Sequence, residues 1–221
     1  TGSIDWHAFE SLIDRQLAAG ITGLVPVGTT GEAATLSKKE ALAIITHTVK
    51  QAAGRAYVLA GTGGNVTTKS VEATCQAADA GVDGVLLITP YYNRPSQAGL
   101  ISHFGEIASS TNVDVMLYSV PGRTGVSIEP ETASALAKNH PNIVGIKEAG
   151  GDVTRVTALR AACDPKFVVH CGDDGLALPF FALGARGLTS VLSNFAPREC
   201  ISLYRAWCGG DQQTALSIHE H

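Results

Sequence analysis

Gly84-Val85-Leu86-Leu87-Ile88-Thr89-Pro90-Tyr91-Tyr92 passes from an unbroken apolar run straight into a polar, proline-marked turn. The run shows no alternation of apolar and polar residues, as expected of a parallel strand covered on both faces. The same two-part phrase recurs along the chain. Further strands are expected at Ile21–Val27, Tyr57–Ala60, Val113–Tyr118, Ile143–Ile146, Phe167–His170 and Gly187–Leu192. Helical patterns fill the intervals, and strand and helix together repeat every roughly 20–36 residues, which is the signature of βα units.

The helices carry their own punctuation. Ser37-Lys38-Lys39-Glu40 has the form of a capping box, and Gly54 is placed to end the helix it opens. Thr67 or Thr68 and Gly81 bracket the next helix. Ser96 opens another, Pro130 suits a first helical turn, and Asp152 can cap a fifth.

Two architectures fit βα units: an open doubly wound sheet and a closed (βα)8 barrel. A doubly wound dinucleotide binder concentrates its polar chemistry at the first βα turn. Here nearly every strand ends in a polar or glycine-rich cluster: Gly28-Thr29-Thr30-Gly31-Glu32, Gly61-Thr62-Gly63-Gly64-Asn65, Thr89-Pro90-Tyr91-Tyr92, Tyr118-Ser119, Lys147-Glu148 and Gly172-Asp173-Asp174. Chemistry spread over the C-terminal rim of many strands is what a TIM barrel provides, and this α/β class is the expected fold. The first residues run directly into a helical pattern (Trp6, Phe9, Ile13, Leu17), and Asp211–His221 is helical again. The expectation is therefore strands 2 to 8 and their helices over residues 1–195. The last barrel helices and the start of a C-terminal helical segment follow over 196–221, with the first strand and the rest of that segment outside the chain.

Composition narrows the function. The 221 residues are 45% hydrophobic and 16% charged, too apolar for a disordered chain. Sixteen Lys and Arg against 20 Asp and Glu leave a net charge of −4 without a basic stripe, which argues against a nucleic-acid surface. The longest apolar runs are too short to cross a bilayer, and no signal or transit pattern opens the chain. Five cysteines with no Cys-x-x-Cys pair suit a reduced, cytoplasmic protein.

Lys147 ends the apolar strand Ile143–Ile146, where a charged side chain is costly. A snorkelling lysine, or one paired with Glu148, would be the bland reading. At a barrel rim the same position points into the site, where desolvation favours a neutral amine able to attack a ketone. Tyr118 is either an aromatic plug bonded to backbone or a proton shuttle beside that lysine. Arg123, in a Pro- and Gly-bounded loop, suits a substrate carboxylate. Thr29 and Thr30 lie in a turn that can hold an anion but lacks the Gly-Lys-Ser/Thr of a P-loop. Val66 occupies the third glycine position that a dinucleotide fingerprint at Gly61-x-Gly63 would need. His170, Asp173 and Asp174 are tempting as metal ligands, but no partner stands at a matching spacing, so no metal is expected.

Gly28-Thr29-Thr30-Gly31-Glu32, Thr89-Pro90-Tyr91-Tyr92-Asn93-Arg94-Pro95, Tyr118-Ser119-Val120-Pro121-Gly122-Arg123-Thr124-Gly125 and Gly145-Ile146-Lys147-Glu148-Ala149 follow one another in this order. Together they resemble the dihydrodipicolinate synthase family of the pyruvate-dependent class I aldolase/lyase superfamily, from about Ile4 to the chain end. The resemblance implies a lyase that condenses pyruvate with L-aspartate 4-semialdehyde in diaminopimelate and lysine biosynthesis. It needs no cofactor beyond the covalent imine. The resemblance implies that Lys147 is the Schiff-base lysine, Tyr118 the acid/base and Thr29 its relay partner. It further implies that Tyr92 is a relay tyrosine contributed across a subunit interface, within a homotetramer built as a dimer of dimers. Thr30 corresponds to the residue holding the pyruvate carboxylate, and Arg123 to the one receiving that of the semialdehyde. Thr189 corresponds to an aliphatic residue touching pyruvate.

Ser119 stands where the family has Asn, and Thr189 where it has Ile or Val. Lys38, Ala41 and Lys69 stand where lysine-inhibited members line a regulatory site, with Asn65 and Tyr91 kept, so weak or absent inhibition by lysine is expected. Two other functions stay open at this point. One is an N-acetylneuraminate lyase or keto-sugar-acid aldolase of the same superfamily, disfavoured by Thr29, Thr30 and Arg123. The other is a non-catalytic binding protein on an inherited barrel, disfavoured by the joint presence of Lys147, Tyr118 and Arg123.

Overall fold

The computed structural model describes residues 2–220. Thr1 and His221, the outer bounds of the two expected segments, lie outside the described residues. After the helix α1 (Trp6–Ala19), strands and helices alternate: β1 (Gly23–Leu24), α2 (Lys38–Ala52), β2 (Tyr57–Gly61), α3 (Thr67–Asp79), β3 (Gly84–Ile88), α4 (Gln97–Ser109) and β4 (Asp114–Ser119). A short α5 (Pro121–Thr124) precedes α6 (Pro130–Asn139), β5 (Ile143–Glu148), α7 (Thr154–Ala162), β6 (Val168–Cys171), α8 (Ala177–Ala182), β7 (Gly187–Leu188), α9 (Pro197–Cys208) and α10 (Gln212–His219). The strands form one parallel sheet in sequence order, β1 through β7, which curls as in a TIM-type barrel.

Residue parity divides the sheet into two faces. Val85, Leu87, Val115, Leu117, Ile146 and Val169 turn outward against Phe104, Ile107, Leu136, Leu159 and Phe180 of the helical layer. Leu59, Leu86, Met116 and Tyr118 turn inward and pack together. Both faces are apolar, which is why the strands read as continuous runs. Phe104 is fully buried in the outer layer, a burial worth on the order of 2–3 kcal/mol. The first helix also meets the C-terminal part of the chain: α1 packs on α9, and Gln16 Nε2 donates to the carbonyl of Ser193 at 2.9 Å.

The capping box forms as expected. Ser37 Oγ accepts from the Glu40 N–H at 3.2 Å, and the Glu40 carboxylate accepts from the Ser37 N–H at 2.9 Å. Ser96 caps α4 through the Gly99 N–H, and Asp152 accepts from the Thr154 N–H at the start of α7. Neither threonine caps α3. Val66 holds that position, and the Thr67 hydroxyl is engaged by His103 Nδ1 at 2.8 Å. The helix α2 ends one residue before Gly54, on Ala53 in the left-handed region.

The two outermost strands are much shorter than expected. Only Gly23–Leu24 and Gly187–Leu188 join the ladder. Each has a single neighbour, and each apolar run then leaves the extended state. Pro26 has no N–H to offer, Val27 turns to φ 57°, and Leu192 begins a 3-10 turn. The interior strands β5 and β6 instead continue one or two residues past the expected ends, so Lys147 and Glu148 lie within β5.

Candidate active site

Ile88, Tyr118, Lys147, His170 and Gly187 are successive Cα partners across β3, β4, β5, β6 and β7. Pairing in register on one face of a sheet places their side chains in a single row on the interior. Lys147 Nζ lies 4.4 Å from the centroid of the Tyr118 ring. The stem of Lys147 passes over Gly172, where an added Cβ would stand 2.9 Å from its Cε. Lys147 makes no ion pair among the described residues. Its pKa is pulled down to about 8, chiefly by burial, with the Arg123 charge acting in the same sense. Asp174 and Cys171 act in the opposite sense.

Burial raises the pKa of Tyr118, while a hydrogen bond from the Thr29 hydroxyl and the charge of Arg123 oppose that rise. The phenol is therefore bonded to a side chain brought from the far end of the sheet, not to backbone. Thr29 and Thr30 sit together in the 3-10 turn Thr29–Gly31 beyond β1, both exposed. Arg123 lies exposed on α5, which Pro121 opens and Gly125 closes. Thr189 follows β7, and its hydroxyl meets His170 Nδ1 at 3.3 Å.

Tyr92 is not brought to this cluster by its own chain. It is 93% exposed, on backbone at φ 71° beside Arg94 at φ 46°. Left-handed backbone costs a residue with a Cβ roughly 1–2 kcal/mol, so the loop holds Tyr92 outward against a local preference. Asn93 Nδ2 donates to the carbonyl of Asn65 at 3.0 Å and ties the loop down.

Glu148 is not the partner of Lys147. One position along the strand, it faces the helical layer, fully buried, and accepts from Arg155 Nε at 2.9 Å and the Gly150 N–H at 2.8 Å. Ser119 shares that outer face, where its hydroxyl accepts from the Ile128 N–H at 3.3 Å. Its departure from the family residue therefore bears on the packing of a loop rather than on the amine.

His170, Asp173 and Asp174 do not converge. His170 turns to Thr189, Asp173 accepts from the Gly175 N–H, and Asp174 accepts from the Ser190 hydroxyl and the Val191 and Leu192 N–H groups. No group of three His, Cys, Asp or Glu side chains arranged to hold a metal occurs among the described residues. The Asp174 contacts span 16 to 18 residues, and no local pattern signals them. His170 as a neighbour of Lys147 was discoverable, since both are the last inward residues of adjacent strands. Among the described residues no helix is long and apolar enough to cross a membrane, and the cysteines are free thiols.

A model of the dihydrodipicolinate synthetase family matches residues 1–221. The chain belongs to that family. The 4-hydroxy-tetrahydrodipicolinate synthase of Bacillus subtilis is 45% identical over 219 residues, covering 99% of this chain and 76% of that protein. The structure of the 4-hydroxy-tetrahydrodipicolinate synthase from the thermoacidophilic methanotroph Methylacidiphilum fumariolicum SolV superposes with a TM-score of 0.98. It is 45% identical and covers 100% of this chain and 73% of that one. A structure described as the first monomeric dihydrodipicolinate synthase variant superposes at 0.96 with 35% identity, covering 100% and 74%. Dihydrodipicolinate synthetase family membership accounts for the curled parallel sheet, and the row through Lys147 lies at the strand ends where a barrel gathers its chemistry.

Proposed function

We propose that this chain condenses pyruvate with L-aspartate 4-semialdehyde to give 4-hydroxy-tetrahydrodipicolinate in lysine biosynthesis. The names of its relatives support this, and one observation carries it: a half-buried lysine amine 4.4 Å over a tyrosine ring, with no ion pair among the described residues. With its pKa near 8, about a quarter of the Lys147 side chains are neutral at pH 7.5, against about one in a thousand at the ordinary value.

The neutral amine adds to the pyruvate ketone, and the carbinolamine loses water to leave an imine. Loss of a methyl proton gives the enamine, which attacks the aldehyde carbon and turns its oxygen into a hydroxyl. The substrate amine then attacks the imine carbon, closing the ring and releasing Lys147. Tyr118 gives and takes the protons, Thr29 holds its phenol, and Tyr92 of a neighbouring subunit completes the relay. Thr30 receives the pyruvate carboxylate and Arg123 that of the semialdehyde, while Thr189 borders the pyruvate. No cofactor or metal enters this scheme. We infer a homotetramer, a dimer of dimers, as the family resemblance implies; the outward Tyr92 supports a subunit contact at that loop. A cytoplasmic location, without nucleic-acid or membrane partners, fits the substrates.

Borohydride reduction in the presence of pyruvate should add one reduced pyruvyl group, located on Lys147 by peptide mass. Lys147→Ala should take up none. Label on a different lysine would overturn the assignment.

A further inference from the structure

The row through Lys147 contains a titratable side chain for which the proposed reaction has no use. Val169 and Cys171 of β6 are buried in the helical layer, so His170 between them faces the interior with Lys147, its Cα partner. Burial and the charge of Lys147 hold the pKa of His170 at about 4. The ring is neutral at every pH at which the amine titrates. It therefore neither exchanges protons near neutrality nor adds a charge. Its shape and its one hydrogen bond remain.

Both are used on the same side. An added Cβ at Gly187 would stand 2.5 Å from His170 Nε2, so the ring fills space that only glycine leaves open there. The ladder between β6 and β7 has only two rungs, His170 with Gly187 and Cys171 with Leu188. Beyond it the sheet is extended by the Thr189 N–H donating to the Cys171 carbonyl at 2.8 Å, and by the His170–Thr189 side-chain contact at 3.3 Å. That contact bridges β6 and β7 just past the last rung of their ladder, one strand removed from Lys147.

We propose that His170 and Thr189 form a hydrogen-bonded wall that shuts the β6–β7 side of the interior and keeps water from the Lys147 amine. His170 is thus a positioning residue, and the proposal rests on Lys147 being the imine-forming lysine. The other groups acting on Lys147 are Arg123 from α5, Asp174 from the turn after β6 and Cys171 of β6, with Tyr118 of β4 beneath the amine. Each of the first three acts by charge. Desolvation exceeds them all, and the wall acts on desolvation without adding charge.

The test is the pH dependence of pyruvate trapping by cyanoborohydride on the full chain, scanned between pH 6 and 10. Thr189→Val keeps the shape and removes the bond, His170→Phe keeps a ring without it, and His170→Gln retains a group able to meet the Thr189 hydroxyl. The wild-type midpoint should lie near 8. It should rise by about one pH unit in T189V and H170F as water reaches the amine, and stay near wild type in H170Q. The double variant H170F/T189V should move no further than either single one, since both remove the same bond. Unchanged midpoints in T189V and H170F, or additive shifts, would overturn the wall. If H170F does not fold, T189V alone decides. A wild-type protein that traps no pyruvate at any pH would overturn the imine assignment instead.

Discussion

Lys147 and Glu148 are neighbours on one strand and both charged in water, the first half-buried and the second fully buried, yet their surroundings differ completely. Glu148 faces the helical layer with its oxygens met by Arg155 and the Gly150 N–H. Lys147 faces the interior with an aromatic ring beneath it and no ion pair among the described residues. A buried charge whose partners are all present belongs to the architecture. One left without its counter-ion is held where its neutral form is favoured, and that form is reactive.

The outer face should show the larger effect on stability. Glu148→Ala leaves the guanidinium of Arg155, largely buried, without its main partner. Removing one member of a buried pair costs about 3–5 kcal/mol, so urea unfolding should shift by that amount. A loss below about 1 kcal/mol would show that Arg155 recovers through Glu129, which lies 3.8 Å away, and would blur the contrast.

The interior face should respond with the opposite sign. The Lys147 pKa is about 8 in the native state and 10.5 when unperturbed, so between those values the unfolded chain binds more protons than the folded one. Stability therefore rises with pH across that window, and below pH 8 the full cost of burying the amine is present. Lys147→Met should raise stability at pH 7 by on the order of 1–3 kcal/mol while abolishing trapping. The gain should shrink towards pH 10.5. A gain independent of pH would point to better packing instead of relief of a buried cation.

Much of this contrast was legible before the fold. Lys147 at the end of an apolar run, Tyr118 at the end of another, and strict parity along a strand already assign Lys147 and Glu148 to opposite faces. The capping box at Ser37 and Glu40 is equally local, and both of its hydrogen bonds form. What could not be read depends on contacts between distant residues. The partner of Glu148 comes from the following helix, the bond from Thr29 to Tyr118 crosses the sheet, and Asp174 is held from beyond β7. The strands β1 and β7 are shorter than their apolar runs for a related reason. Apolar character marks a buried segment, whereas a ladder also needs neighbours, and the outermost strands each have one. For Thr30 and Arg123 the residues themselves suggest an anion or carboxylate partner, whereas which carboxylate each receives, and the role of Tyr92, rest on the resemblance, because no local pattern names a particular substrate.

Ser119 offers the smallest and most discriminating test of the division between faces. It adjoins Tyr118 in sequence and stands where the family has asparagine, so proximity alone would assign it to catalysis. Parity instead sends its hydroxyl outward to the N–H of Ile128, a residue with no exposed surface. Ser119→Ala should leave that N–H unpaired, at a cost of about 1 kcal/mol because the 3.3 Å bond is long. Trapping of pyruvate by the variant should stay within about twofold of wild type at pH 8, since nothing on the interior row changes. Equilibrium unfolding and borohydride trapping on the same preparation separate the two effects. A tenfold loss of trapping with stability intact would mean that the outer face reaches the amine through the strand, and that Lys147 and Glu148 do not inhabit independent environments.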